Sequence, residues 1–378
     1  MIIDISDVLF KQILNDSRLF LPLRWNGSDF SSTLNNLFDY YINKIEMLSK
    51  ETYNKDHIRV DTAYIKRLCG SLNKVVNHYM NGFPSNAYIS FNKVMNLLME
   101  KPLKIYQKSS TELFEVSKDS LKEDEDLKLF RAVSVDENKP YQRTRVFHTP
   151  FNLRSKVSTS RYSIAGYPSL YLGTSLALCC EEIHSNPYQG FTIASMFKLE
   201  RTIEYTNTNI RVIELGVKPQ DFVNVEYNNE IRERRIPRRL LEDENIKSSY
   251  LIWYPLIASC SYIRTNKKDP FAPEYIIPQL LMQWVRNEIR TDDDYDQLVG
   301  IRYFSCASVK SSDMGFNYVF PTSGQPKSAE LPYCSVLSKA FRLTNPVYIH
   351  EYDDIRSCEY HLSKVRDLDF IGGVKDGT

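Results

Sequence analysis

The sequence predicts an α+β protein, with helices gathered in its first hundred residues and a mixed β core with flanking helices after them. Three observations carry that expectation. Apolar residues recur at helical spacing up to about Glu100. From Leu129 onward, short β-like runs alternate irregularly with single helices, unlike the regular βαβ alternation of a doubly wound sheet. No Walker or Rossmann glycine motif occurs, so a nucleotide would have to be held some other way.

The helical part is expected over residues 1–102. Ser31 and Ser32 can cap a segment in which Leu34, Leu37, Phe38, Tyr41, Ile45 and Leu48 share one side. A second stripe is Ile65, Leu68, Leu72, Val75, Val76 and Tyr79, and a third is Val94, Met95, Leu97 and Leu98, which Pro102 stops. Each stripe is apolar on one side only, so these helices must pack on one another or on the next domain. Residues 103–378 are expected to form a second domain. Residues 103–117 suit a strand or hairpin, and 118–128 a solvated connector. Strands are expected at Leu129–Val135, Leu170–Gly173, Arg211–Val217 and Gly300–Ser305. The charge-dense stretch from Asn228 to Glu244 suits an exposed insertion with internal ion pairs.

Charge is nearly balanced, 48 Lys+Arg against 47 Asp+Glu, so no overall field draws the chain to nucleic acid or an acidic membrane. Seven cysteines, an odd number without C-x-x-C spacing, fit reduced thiols, and no histidine completes a zinc pattern with them. No metal is expected. The first residues carry acids where a secretory signal carries bases, and the apolar stretch Tyr250–Ile263 is short and broken by Pro255. A soluble, cytoplasmic protein is expected.

Four segments could carry chemistry. Arg131 sits inside the apolar strand Leu129–Val135, where a guanidinium is costly to desolvate without an anion. A structural carboxylate explains it as well as a substrate phosphate does. Next, Gly166 and Pro168 make a turn that brings Arg161, Tyr162 and Ser163 close to the strand of Tyr171. Such aromatics and polar groups suit a flat ring with phosphates, and also an ordinary hairpin. Third, Ser175 can cap a helix in which Leu176, Cys179, Cys180 and Ile183 share a buried face. At 100° per residue Glu181 points away from that face and Glu182 flanks it, which selects Glu182. Last, Pro278 suits the first turn of a helix whose Leu281, Trp284 and Val285 pack inward, and Ser305 ends the following strand as a candidate hydrogen-bonder.

Taken in order, these segments resemble the RES domain family, toxins of RES–Xre type toxin–antitoxin systems. The resemblance runs from about Leu129 to Pro321. It rests on LFRA, the PF–R–RYS–G–P–LYL block, the helix from Ser175 to the paired glutamates, YLIWYPLIASCSYI, EYIIPQLLMQWVR, and GIRYFS with Asn317 downstream. It implies a core similar to ADP-ribosyltransferases and attack on the nicotinamide–ribose bond of NAD. It carries the family arginine to Arg131, the acid to Glu182, the serine to Ser305, the strand aromatic to Tyr171 and a second arginine to Arg161. The adjacent Glu181 leaves the acid ambiguous by one residue.

The implied activity is NAD phosphorylase or NAD glycohydrolase, with inorganic phosphate or water as acceptor. NAD is then the substrate, and no other cofactor is expected. Glu182 would balance positive charge on the ribose, Arg131 and Arg161 would hold the pyrophosphate, and Tyr171 with Tyr162 would stack on the nicotinamide. Ser305 would bond to the carboxamide or ribose. An antitoxin or another regulatory partner protein is implied as well. Two other readings stay open: an ADP-ribosyltransferase acting on a protein or nucleic acid, and a module that binds a nucleotide or a partner without catalysis. Compact members of the family lack the helical residues 1–100, and longer members with a Cys-rich metal motif there differ from this chain.

Overall fold

A computed structural model describes residues 2–48, 58–100, 128–199, 210–223, 241–266, 268–288, 298–322, 326, 328 and 331–371. The expectations for 103–117 and for all but the last residue of 118–128 lie outside the described residues, as does the charge-dense stretch up to residue 240. By its internal contacts the chain divides into two compact units, Met1–Leu113 with Val217–Trp284, and Phe114–Gly216 with Val285–Thr378. This differs from the expected division at 102/103, because residues 217–284 group with the N-terminal ones.

In the first unit, β1 (Ile2–Ile5) pairs antiparallel with β3 (Ile58–Asp61), and β2 (Leu23–Arg24) pairs parallel with β8 (Tyr262–Ile263). The N-terminal region is therefore not all-helical. Its helices are α1 (Asp7–Leu14), α2 (Phe30–Leu48), α3 (Thr62–Met80) and α4 (Pro84–Glu100). The stripes hold: Leu34, Phe38, Tyr41 and Ile45 are buried on α2, and Ile65, Leu68, Leu72, Val75 and Val76 on α3. Helix α2 starts earlier than expected. The Asp29 carboxylate accepts the Ser32 amide at 2.7 Å, so Asp29 performs the capping and both serines lie in the first turn.

After the short α6 (Pro219–Val223), α7 (Glu244–Ser259) is buried on every side from Tyr250 to Ser259. A helix apolar all round must be enclosed, which is why 217–284 joins this unit. Pro255 has no N–H for the carbonyl four residues back. That carbonyl, on Leu251, accepts the Tyr41 hydroxyl at 2.7 Å, and the Tyr254 hydroxyl donates to Leu19 O at 3.0 Å. Among the described residues no helix is long and apolar enough to cross a membrane.

The second unit is built on a mixed sheet of order β11–β6–β4–β5–β10–β9–β7, with β12 also on β6. The strands are β4 (Lys128–Val135), β5 (Ser169–Gly173), β6 (Phe191–Leu199), β7 (Ile210–Leu215), β9 (Leu298–Phe304), β10 (Phe316–Pro321), β11 (Phe341–Leu343) and β12 (Val347–Tyr348). The four expected strands appear within two residues of their expected limits. Neighbours are antiparallel except β7 and β9. Helices α5 (Leu176–Glu182), α9 (Ser335–Ala340) and α10 (Ile355–Lys364) flank the sheet, and α8 (Ile276–Glu288) leads into it across the division between units. One core cluster joins Phe130, Ala132, Ala194 and Met196 of the sheet to Leu176, Cys179 and Cys180 of α5 and Cys358 and Leu362 of α10. All seven cysteines are free and buried.

Candidate functional site

The site begins where β4 and β5 part. β4 pairs with β6 along all eight of its residues, but with β5 only at Phe130–Gly173. Phe130, Gly173, Asn317 and Tyr303 therefore form one row across β4, β5, β10 and β9, and residues in one row share a face of the sheet. Helix α5 comes down on that face closely. A Cβ at Gly173 would meet Cys179 Sγ at 2.8 Å, and that thiol donates to Phe130 O at 3.2 Å.

The start of α5 is fixed as the sequence suggests. Ser175 Oγ accepts the Leu178 amide at 3.2 Å and donates to Met314 O at 2.9 Å, while Thr174 Oγ1 accepts the Phe316 amide at 2.9 Å. Glu359 of α10 accepts the Leu176 amide at 2.6 Å, a carboxylate at a helix N-terminus. Glu182 then falls in the last turn, half-buried, while Glu181 is exposed. Ile183, expected on the buried face, lies past the helix end and is 37% exposed. The decisive partner is Asn317, whose Nδ2 donates to Glu182 Oε1 at 2.6 Å.

Tyr303 locates the neighbours. Burial raises its pKa well above the ordinary value, and the charge of Glu182 adds to this, followed by Tyr171 and Tyr162, while Arg161 opposes it. Glu182, Tyr171, Tyr162 and Arg161 thus gather around one phenol. Tyr162 is 1% exposed with its ring 4.7 Å from that of Tyr303, so it is a core residue and presents no face for stacking. Tyr171 is half-buried, and its hydroxyl meets Ser160 Oγ at 2.7 Å and Ser163 Oγ at 2.8 Å. Those serines face each other across a backbone bridge, and Gly166 at φ +83° closes the turn that follows.

Arg131 lies at the fork. With β4 and β5 no longer paired there, Tyr171 O lacks a ladder donor, and Arg131 Nη1 donates to it at 3.1 Å. The Arg131 Nε is enclosed without a partner. Burial draws the guanidinium down to about 10. Cys179 and Tyr171 push the other way, and Arg145 adds to the lowering. No carboxylate among the described residues pairs with Arg131.

Two further arginines, given no role by the sequence reading, join it. Arg286, on the last turns of α8, donates from Nη2 to Pro168 O at 2.9 Å and lies 5.2 Å from the Tyr167 ring centre. Burial lowers its pKa, Arg154 lowers it further, and Tyr167 and Tyr171 oppose this. Arg154 sits over Phe151 at 4.6 Å. Neither has a carboxylate partner among the described residues. His148 feels the same field. Burial draws it down to about 4 against the Thr149 hydrogen bond, and Arg131 and Arg154 add to the lowering. Its two nitrogens are already engaged, Nδ1 with Thr149 O at 2.8 Å and Nε2 with the Cys334 amide at 2.9 Å. Nε2 therefore accepts, and the imidazole is the neutral tautomer with its proton on Nδ1.

Ser305 is placed differently from the expectation of a ligand contact. It is 0% exposed just past β9, its hydroxyl donates to Ser311 Oγ at 2.8 Å, and it accepts the Ala307 amide at 3.2 Å. It fixes the turn that follows Tyr303. Arg161, 9% exposed, is nearly buried and borders Tyr303.

No family model matches the chain, and no solved structure matches it. Over 330 residues it is 28% identical to a Bacillus subtilis (strain 168) protein named "Putative toxin YopC", a stretch covering 86% of this chain and 67% of that protein. A stretch of 95 residues, 25% of this chain, is 28% identical to the ATP synthase gamma chain of Pasteurella multocida (strain Pm70), of which it covers 31%. The first likeness runs through most of the chain. The second is confined to a quarter of it.

Proposed function

We propose that the second unit is the catalytic part of a toxin-like enzyme that consumes NAD at its nicotinamide–ribose bond, on a RES-type, ADP-ribosyltransferase-like core. The observation that carries this reading is the set of uncompleted charges around Tyr171. Arg131, Arg154 and Arg286 lack carboxylate partners among the described residues, and Tyr171, which borders Arg131 and Arg286, also borders Tyr303, where Glu182 is held by the Asn317 amide. Desolvated guanidiniums without carboxylates are costly unless an anion completes them. A dinucleotide supplies two linked phosphates for them and a sugar for the glutamate. The likeness to a protein named as a toxin supports the biological setting.

In NAD the nicotinamide is already a cationic leaving group, so it departs as neutral nicotinamide with the electron pair of the C–N bond and needs no general acid. What remains is to stabilise the oxocarbenium ion at the ribose and to place an acceptor. Glu182, steadied by Asn317, lies under the sugar. Arg131 and Arg161 grip the pyrophosphate, with Arg154 and Arg286 on the same side. Tyr171 offers its half-buried ring to the nicotinamide. Ser305 and Tyr162 act as positioning residues for the strand end and for Tyr303. Water as acceptor gives ADP-ribose and a proton; inorganic phosphate gives ADP-ribose 1″-phosphate. Such an enzyme would starve its own cytoplasm, so an antitoxin or other regulatory protein restrains it in this reading.

The test is mass spectrometry of NAD incubated with the chain, with and without inorganic phosphate. Released nicotinamide with one of the two small products is expected, and Glu182→Gln should slow it by ~10²–10³. Label transferred from NAD to a protein would move the activity to the ADP-ribosyltransferase class. Wild-type turnover by folded Glu182→Gln would contradict the role given to this carboxylate.

A further inference from the structure

The row of residues that carries Asn317 also carries the phenol of Tyr303. Gly173, Asn317 and Tyr303 stand opposite one another across β5, β10 and β9. Helix α5 follows this row. Cys179 comes down on Gly173, where a Cβ would meet its sulfur at 2.8 Å, and Glu182, three residues on, accepts from Asn317 at 2.6 Å. One helical turn advances ~5.4 Å and one strand ~4.8 Å, so helix and row keep step. A further turn would reach Tyr303. The helix ends at Glu182 instead, Ile183 is 37% exposed, and His184 at φ +51° breaks the helical course. Helix α5 therefore stops one step short of Tyr303.

Two hydrogen-bonding groups flank that step. Tyr303 is 7% exposed with its ring 4.7 Å from that of Tyr162, and its hydroxyl has no hydrogen bond among the described residues. Burial, with the Glu182 charge adding to it, keeps the proton on the phenol, so the hydroxyl is a donor. Glu182 gives Oε1 to Asn317, and its Oε2 has no donor among the described residues. A group that joins the two must accept from Tyr303 and donate to Glu182 at once. An ammonium or guanidinium only donates, and a phosphate or carboxylate only accepts. A metal cation would take nothing from the phenol's proton, and the charge of Arg161 beside Tyr303 opposes it. A hydroxyl does both.

We propose that Tyr303 is a substrate contact: its hydroxyl and Glu182 Oε2 together hold one hydroxyl of the substrate's ribose, so the site selects ribosyl over deoxyribosyl substrates. The ribose is taken from the NAD reading above, on which this rests.

The experiment compares wild type and Tyr303→Phe on NAD and on its analogues lacking the 2″- or the 3″-hydroxyl of the nicotinamide ribose. Calorimetric titration of ADP-ribose and of ADP, and melting curves, accompany the kinetics. On NAD the variant should lose about tenfold to a hundredfold in kcat/KM, the scale of one hydrogen bond whose partner is left unpaired. On one of the two analogues wild type and variant should agree within about twofold, because the hydroxyl that Tyr303 holds is gone. Wild type should bind ADP-ribose about tenfold more tightly than ADP, and the variant should lose most of that preference. The melting temperature should stay level or rise, since the removed oxygen has no protein partner. An equal ratio of wild type to variant on all three dinucleotides, a preference for ADP-ribose that the variant keeps, or a fall in melting temperature overturns the proposal. If neither protein consumes NAD while the variant still loses the preference for ADP-ribose, the hydroxyl contact stands and the NAD reading falls. Turnover of NAD with equal ratios does the reverse.

Discussion

The sheet of the second unit carries two arginines in opposite circumstances. Arg302 on β9 is largely buried and meets Glu214 on the neighbouring β7 with Nε to Oε2 at 2.6 Å, an ion pair without the alignment of a good hydrogen bond. Burial pulls its pKa down, yet the charge of Glu214, with help from Tyr318, leaves it above the ordinary value. Arg131 on β4 is half-buried, has a carbonyl for its partner, and ends at about 10. The same residue type in one sheet is thus finished in one place and left open in the other. A completed pair serves the fold. An uncompleted one is costly to the fold, and under the proposed function an anion of the substrate completes it.

The sharpest break of that contrast is Arg302→Met. It strands the Glu214 carboxylate, 3% exposed, without its counter-charge and should cost ~3–5 kcal/mol, read as a large fall in the denaturation midpoint. An unchanged midpoint would mean the pair is not structural.

His148, whose proton is disfavoured first by burial and then by Arg131 and Arg154, offers a test through pH. Its folded value, about 4, lies below the ordinary 6.5, so the unfolded chain binds its proton first as pH falls. Stability from this group is full above 6.5, declines as pH drops through that window, and levels off below about 4. The total is ~3 kcal/mol, and His148→Gln should flatten the slope. A slope unaltered by that substitution would place the titration elsewhere.

A smaller effect is expected at Asn317. Asn317→Ala frees the Glu182 carboxylate from the Asn317 amide and should lower kcat about tenfold with little change in KM, the scale of one hydrogen bond to a charged group. A change in KM alone would make Asn317 a substrate contact instead of a support for Glu182.

Some of this was legible in the sequence for local reasons. The stripes of α2 and α3 repeat at helical spacing, and Ser175 before an apolar run marks the start of α5; the wheel then separates half-buried Glu182 from exposed Glu181. What was not legible depends on distant partners. Helix α7 is buried all round, so it has no stripe to show which unit it serves, and partners distant in sequence, Tyr41 for Leu251 and Leu19 for Tyr254, reveal it. Four-residue strands such as β1 and β3 are too short for a period to show. Arg154 and Arg286 look like ordinary surface arginines until their neighbours are known. Tyr162 and Ser305 looked presentable because turns and strand ends are usually open, and both are closed by packing from other strands and turns.

The most direct measurement compares wild type with Arg131→Met by calorimetric titration of ADP-ribose, with thermal melting of both proteins alongside. Affinity should fall about tenfold to a hundredfold, the scale of a lost charged hydrogen bond, while the melting temperature stays level or rises. Equal affinity in the two proteins, or a loss of stability like that of Arg302→Met, would show that Arg131 belongs to the fold and not to a ligand.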